Sequence, residues 1–194
     1  MLEVIVMQEH TKVANTKAIL KQLEHIRGID KCKDDIRAFA KYIELNRAKK
    51  INFGNYNVLI KCNSEFIEAE KLIDLIEKLF QANGIITSKH LYLEPRQLKS
   101  NLINTNNGNT ELIIVSSEFV NLSYSNSQRD INRCIEENPD KIFVVLNRCE
   151  NDWWLDDFKS NKISWVFELT AISDDDKISY VKHILNENGI RVDS

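Results

Sequence analysis

At 194 residues and a net charge of −3, the chain can bury one sizeable core, and it lacks the concentrated Lys and Arg that would make nucleic acid a main partner. Hydrophobic residues at 43% and charged residues at 28% are ordinary for a globular domain and exclude disordered, fibrous and membrane classes. The opening MLEVIVMQEH lacks a cationic lead and a small-residue cleavage site, and no later stretch approaches a membrane span, so a cytoplasmic protein with no membrane partner is expected.

Ile19, Leu20, Leu23 and Ile26 recur at helical spacing and stop at Gly28, which reads as a helix C-terminus. A second helix begins near Asp30, places Ile36, Phe39, Ala40 and Ile43 on one stripe, and ends in the polar stretch 49–55. Beyond it, short apolar runs alternate with amphipathic stretches, the pattern of a mostly parallel sheet with helices on both faces. The five strands are NVLIKC, HLYLE, ELIIVSS, KIFVVLN and SWVFEL. Helices are predicted over 66–82 with Leu72, Ile73, Ile76, Leu79 and Phe80 on the apolar stripe, and over 128–137 with Ile131, Cys134 and Ile135. A short one falls at 152–159, and a last one at 174–188 carries Ile178, Val181, Ile184 and Leu185. The Asn-rich stretch NLINTNNGNT, 101–110, reads as a long loop. No repeat or linker divides the chain. One α/β domain is therefore expected over 1–194, with a tail and helices to residue 50, the α/β core over 56–170 and a C-terminal helix over 171–194.

Cys32, Cys62, Cys134 and Cys149 form no CxxC pair and have no His at ligand spacing, so they read as reduced, mostly buried thiols. His10, His25, His90 and His183 form no motif. Asp174, Asp175 and Asp176 stand directly before a helix and are explained by capping and by the helix dipole. No metal and no cofactor is expected.

In this order, the segments LEHIRGIDKCKDDI, NVLIKCNSEFIEAEKLIDLIEKLFQANGII, ELIIVSSEFVNL and RDINRCIEENPDKIFVVLN resemble the AAA+ family of red-type rubisco activase and stage V sporulation protein K. The resemblance runs from about Leu23 to Ile190. It implies a P-loop NTPase-like core with an N-terminal helical lead-in. It also implies that the chain reaches only the start of the family's lid subdomain and that the pore-loop region between the second and third strands is shortened.

The family's chemistry is not matched. A P-loop needs glycines so that backbone amides can wrap phosphate oxygens, a Lys for the β/γ-phosphates and a Ser or Thr for Mg²⁺. An ungapped alignment sets Cys62, Glu65 and Ile67 at the glycine positions and Glu68 at the lysine. Glu65, Glu68 and Glu70 would repel a triphosphate, or else simply complement the dipole at a helix start. The Walker B strand ends Ser116-Ser117-Glu118, without the metal-holding Asp. The arginine finger's place is taken by Ser164-Trp165-Val166, and Asn147 with Arg148 stands where a sensor residue belongs. Asn63, Glu65, Glu68, Ser117, Glu118 and Asn147 thus form a degenerate nucleotide site with no catalytic residue.

Trp153 and Trp154, with Trp165 near in sequence, either anchor a protein partner beside Arg148 or pack in the core. The expected function is that of a catalytically inactive, AAA+-like pseudo-ATPase. It would bind a protein, such as an intact AAA+ relative, as an adaptor, regulator or structural subunit, in a monomer or dimer. The alternative is an immunity or inhibitor protein whose acidic surface covers a toxin or enzyme. A cryptic nucleotide-binding enzyme using Glu118, Asn147 and Arg148 is the third reading.

Overall fold

The computed structural model describes residues 15–46, 53–62, 66–87, 90–93, 98, 112–116, 124–147, 162–171, 173–187 and 189–190. Five strands are present: β1 (Val58–Cys62), β2 (Leu91–Leu93), β3 (Leu112–Ser116), β4 (Ile142–Asn147) and β5 (Trp165–Leu169). All neighbours are parallel, in the order β2-β3-β4-β1-β5. The register sets Val58 against Val144 and Trp165, and Ser116 against Leu146.

The inner strands are near-continuous apolar runs because they are covered on both sides. Successive side chains point to opposite faces of a strand. On one face Val58, Ile60, Ile114, Val144 and Phe167 join Leu72, Ile73, Ile76 and Phe80 of helix α3 (Phe66–Ala82). Phe39 and Ile43 of α2 (Lys33–Asn46) belong to that same cluster. On the other face Leu59, Ile113, Val115, Phe143 and Val145 meet Ile131, Cys134 and Ile135 of α4 (Tyr124–Glu137).

Trp165 is half-buried and packs against the core. Its ring lies 5.0 Å from Phe39 and 5.5 Å from Tyr42, while its indole N–H donates to the Asn55 carbonyl at 3.2 Å. At the amino ends of the strands, buried Asn57 ties three segments together: its Nδ2 donates to the Lys162 carbonyl and its Oδ1 accepts the Phe143 amide. The short helix 152–159 and the loop 101–110 expected from the sequence lie outside the described residues.

Two expectations change. The lead-in begins with helix α1 (15–20) and continues as a 3₁₀ segment (Lys21–His25) that ends before Gly28. Gly28 is therefore not a helix cap. It lies against the end of edge strand β5, with its carbonyl accepting the Thr170 amide at 2.7 Å and the Thr170 hydroxyl at 3.2 Å. The second helix starts at Lys33, after a turn in which the Cys32 amide bonds to the Ile29 carbonyl.

The last helix, α5 (Asp174–Glu187), holds the second change. Its apolar stripe is only partly covered: Ile178 is 54% exposed and Val181 53% exposed, while Leu185 is half-buried. Helical spacing identifies an apolar stripe without saying what lies opposite it. The two faces of the sheet are already covered by α2 with α3 and by α4.

Gly28 has φ +70°, and a Cβ there would sit 2.4 Å from the Thr170 carbonyl oxygen. Gly84 has φ +68° with nothing within 4 Å of its Cβ position. Gly84→Ala should cost about 1–2 kcal/mol for the left-handed backbone alone. Gly28→Ala should cost clearly more, about 3 kcal/mol, because the Thr170 backbone must also move. Urea denaturation of both variants checks the difference, and equal losses would refute the crowding at Thr170.

Candidate functional site

Open α/β sheets take ligands at the carboxyl ends of their strands. Here that edge is marked by Cys62, Leu93, Ser116, Asn147 and Leu169. α3 begins almost directly after β1, so its N-terminus, with unpaired amides and a partial positive charge, points toward this edge. Glu68 stands in the first turn of α3.

Glu68 is 4% exposed and both its oxygens are engaged. Oε2 accepts the Arg27 backbone amide at 2.8 Å, and Oε1 accepts the Lys71 ammonium at 2.7 Å. A carboxylate is costly to bury unless it is paired and hydrogen-bonded, and these two contacts meet that need. The group aligned with the P-loop lysine therefore fastens the lead-in to α3.

Glu70 does not converge with Glu68. Two residues along a helix turn the side chain by about 200°, and Glu70 accepts the Tyr92 hydroxyl at 2.9 Å beside β2. The picture of several carboxylates facing one phosphate position does not hold for this pair.

Asn147 is buried at the end of β4, in register with Lys61 of β1. It follows Phe143 and Val145 on the α4 face, whereas Ser116 follows Leu112 and Ile114 on the α3 face. The two polar strand ends thus point to opposite sides of the sheet. The Ser116 hydroxyl is buried without a hydrogen-bond partner among the described residues. Asn63, Glu65, Ser117, Glu118, Arg148, Trp153 and Trp154 lie outside the described residues.

The cysteines Cys32, Cys62 and Cys134 are buried free thiols. Burial pushes the Cys32 thiol up to about 11 and the Cys134 thiol up to about 12, with Glu137 adding to the second. Both are held in the neutral, unreactive form at neutral pH. Cys149 lies outside the described residues.

Two features were invisible in the sequence. One is the Arg27–Glu68 contact, which spans 41 residues. The signal that hints at it is an acid among apolar residues at a helix start. The other is a paired histidine: His90 Nδ1 lies 2.7 Å from Oε2 of the nearly buried Glu77, whose Oε1 accepts the Gln81 amide. His90 and Glu77 sit 13 residues apart, on the approach to β2 and on α3, with no motif to link them.

No protein-family model matches the chain, and no curated protein matches it. Among solved structures it is similar to C. elegans PCH-2, with a TM-score of 0.56 and 14% identity over 92% of this chain and 53% of that one. It is also similar to a chain of the E. coli MS115-1 HORMA:CdnC:Trip13 complex, with a TM-score of 0.47 and 9% identity over 90% of this chain and 72% of that chain. A third likeness, to the Drosophila ORC structure bound to GC-rich DNA and Cdc6, has a TM-score of 0.43 and 9% identity over 93% and 34% of the two chains. The chain spans about half the length of the PCH-2 chain. At such identity the PCH-2 likeness is one of fold alone. It supports an AAA+-like α/β fold and not the narrower kinship with red-type rubisco activase and stage V sporulation protein K.

Proposed function

We propose that this protein is an AAA+-like domain that hydrolyses no nucleotide and acts by binding another protein, as an adaptor, regulator or structural subunit. The observation that carries the reading is Glu68. At the start of α3, where a P-loop presents a lysine to phosphate, this chain has a buried carboxylate already bonded to the Arg27 amide and to Lys71. A triphosphate placed there meets a fixed negative charge, and the lysine nearest that charge is committed to it.

Binding through protein surface is supported by α5. Ile178, Val181 and, just past the helix, Ile190 are each more than half exposed. Single exposed apolar residues are common, but a neighbouring pair one turn apart on a helix is the kind of feature partner surfaces present.

Calorimetric titration of the purified protein with ATP or ADP and Mg²⁺ tests the first half of the proposal. The expected result is no heat and no thermal stabilisation at millimolar nucleotide. Micromolar affinity would restore nucleotide chemistry to this site. For the second half, Ile178→Asp combined with Val181→Asp should leave the unfolding free energy from urea denaturation within about 0.5 kcal/mol of the parent, since both side chains are outside the core. Affinity for a partner identified by crosslinking in cells should fall at least about tenfold. Unchanged affinity would place the partner surface elsewhere on the protein.

A further inference from the structure

The segment 26–32 joins the Lys21–His25 turn to α2 and is anchored to two elements remote in sequence. The Arg27 amide donates to Glu68 on α3 at 2.8 Å. The Gly28 carbonyl, 142 residues from its partner, accepts both the amide and the hydroxyl of Thr170 beyond β5. The Cys32 thiol reaches the backbone of Glu168 in β5. Ile26, Ile29 and Cys32 are buried, while Asp30 and Lys31 are exposed, so the segment presents one face to the protein and one to solvent.

The segment as far as Ile29 is neither helix nor strand. Ile26, Ile29 and Cys32 belong to the core cluster that includes Ile60 and Phe167, so the segment is held by apolar burial as well as by its hydrogen bonds; irregular segments still open locally at a free energy below that of global unfolding. The two kinds of anchor differ. The Thr170 bonds are made to the Gly28 backbone, whereas the Glu68 contact is charge-assisted and places a buried carboxylate under the segment. If the segment lifts, that carboxylate loses its amide donor, which makes the closed position strongly preferred.

We propose that segment 26–32 is a strap across the carboxyl ends of β1 and β5 and that Glu68 is its latch. With the carboxylate seated on the Arg27 amide the strap is shut; without it the strap lifts while the sheet stays folded. The sheet does not need the strap for its pairing, since β5 is laddered to β1 over five residue pairs and α3 is held by its own apolar stripe. Lifting uncovers the positive end of α3 and the ends of β1 and β5. Access to this edge is then controlled by the chain's own carboxylate and not by a bound nucleotide. The device goes beyond the protein-binding proposal and does not depend on it.

Cys32 reports on the strap because its thiol is 3% exposed when the strap is shut. Cys134 lies on α4, packed against the opposite face of the sheet, and reports on global opening. The experiment is alkylation of the full chain with iodoacetamide, with the rate at each cysteine followed by peptide mass spectrometry. In Glu68→Ala the Cys32 rate should rise at least about tenfold, the opening expected when a charge-assisted hydrogen bond is lost, while the Cys134 rate stays at the parental value. Glu70→Ala, which removes the Tyr92 contact on the same helix, should change neither. Glu68→Gln keeps an acceptor oxygen but not the charge and should give a smaller rise at Cys32; it carries the same comparison if Glu68→Ala does not fold. A Cys32 rate unchanged by loss of the carboxylate overturns the latch. Cys32 and Cys134 rates that rise together also overturn it, since they would make Glu68 a global stabiliser.

Discussion

The constraint on which the rest of the structure depends is the burial of β3, β4 and β1 on both faces. A parallel sheet cannot expose such strands, so helices must cover it on each side, and alternate residues of every strand are assigned to one layer or the other. Ile114, Val144 and Ile60 face α3 while Ile113, Phe143 and Leu59 face α4. Since α3 must start from the end of β1 to reach its side of the sheet, its N-terminus is delivered to the carboxyl edge whatever residues it carries. The place of the candidate site is thus set by the packing before any site residue is considered.

What that place does is decided by its charge. A lysine at the start of α3 would add to the positive end of the helix and draw anions; Glu68 neutralises it from within. Burying a carboxylate demands partners, and one of those partners is a backbone amide from the lead-in. One side chain therefore couples the electrostatics of α3 to the position of a segment 41 residues away. The same segment shields the outer side of β5. Gly28 is the residue whose missing Cβ lets the chain come close enough for its carbonyl to accept the Thr170 amide just past β5.

How far the sequence discloses this follows the range of each signal. The apolar runs locate all five strands, each to within one residue at either end, and most clearly β1, β3 and β4, where double-sided burial writes itself into consecutive positions. The stripe of α3 likewise fixes Phe66–Ala82. The start of α4 at Tyr124 is earlier than the periodicity indicates, since its first turn is Tyr-Ser-Asn-Ser and carries no apolar repeat. Gly28 is recognisable as a special backbone position, but a helix end and a close strand contact both call for glycine, and nothing local separates them. The outward stripe of α5 was unreadable for the same reason: Ile178 and Val181 have the spacing of core residues, and exposure depends on what the rest of the chain leaves uncovered. For Glu68, an acid at the start of α3 is legible and its contact is not, because Arg27 offers its backbone amide, which any residue could supply.

The likeness to PCH-2 at 14% identity is one of shape, and shape asks less of a sequence than chemistry does. Covering a sheet requires only apolar residues of suitable volume at the right period, and many sequences satisfy it. Phosphate chemistry requires particular atoms, with glycine amides, an ammonium and a metal-holding carboxylate all converging on one point. Losing any of them ends the chemistry, yet none of them is needed to bury Val58, Val144 or Ile114. A sequence can therefore drift through the chemical requirements while the packing requirements hold. Glu68 is more than a solvated residue at a helix start. In this chain the position is occupied by a buried, doubly bonded carboxylate, so the packing of the lead-in against α3 is tied to the charge at the start of that helix.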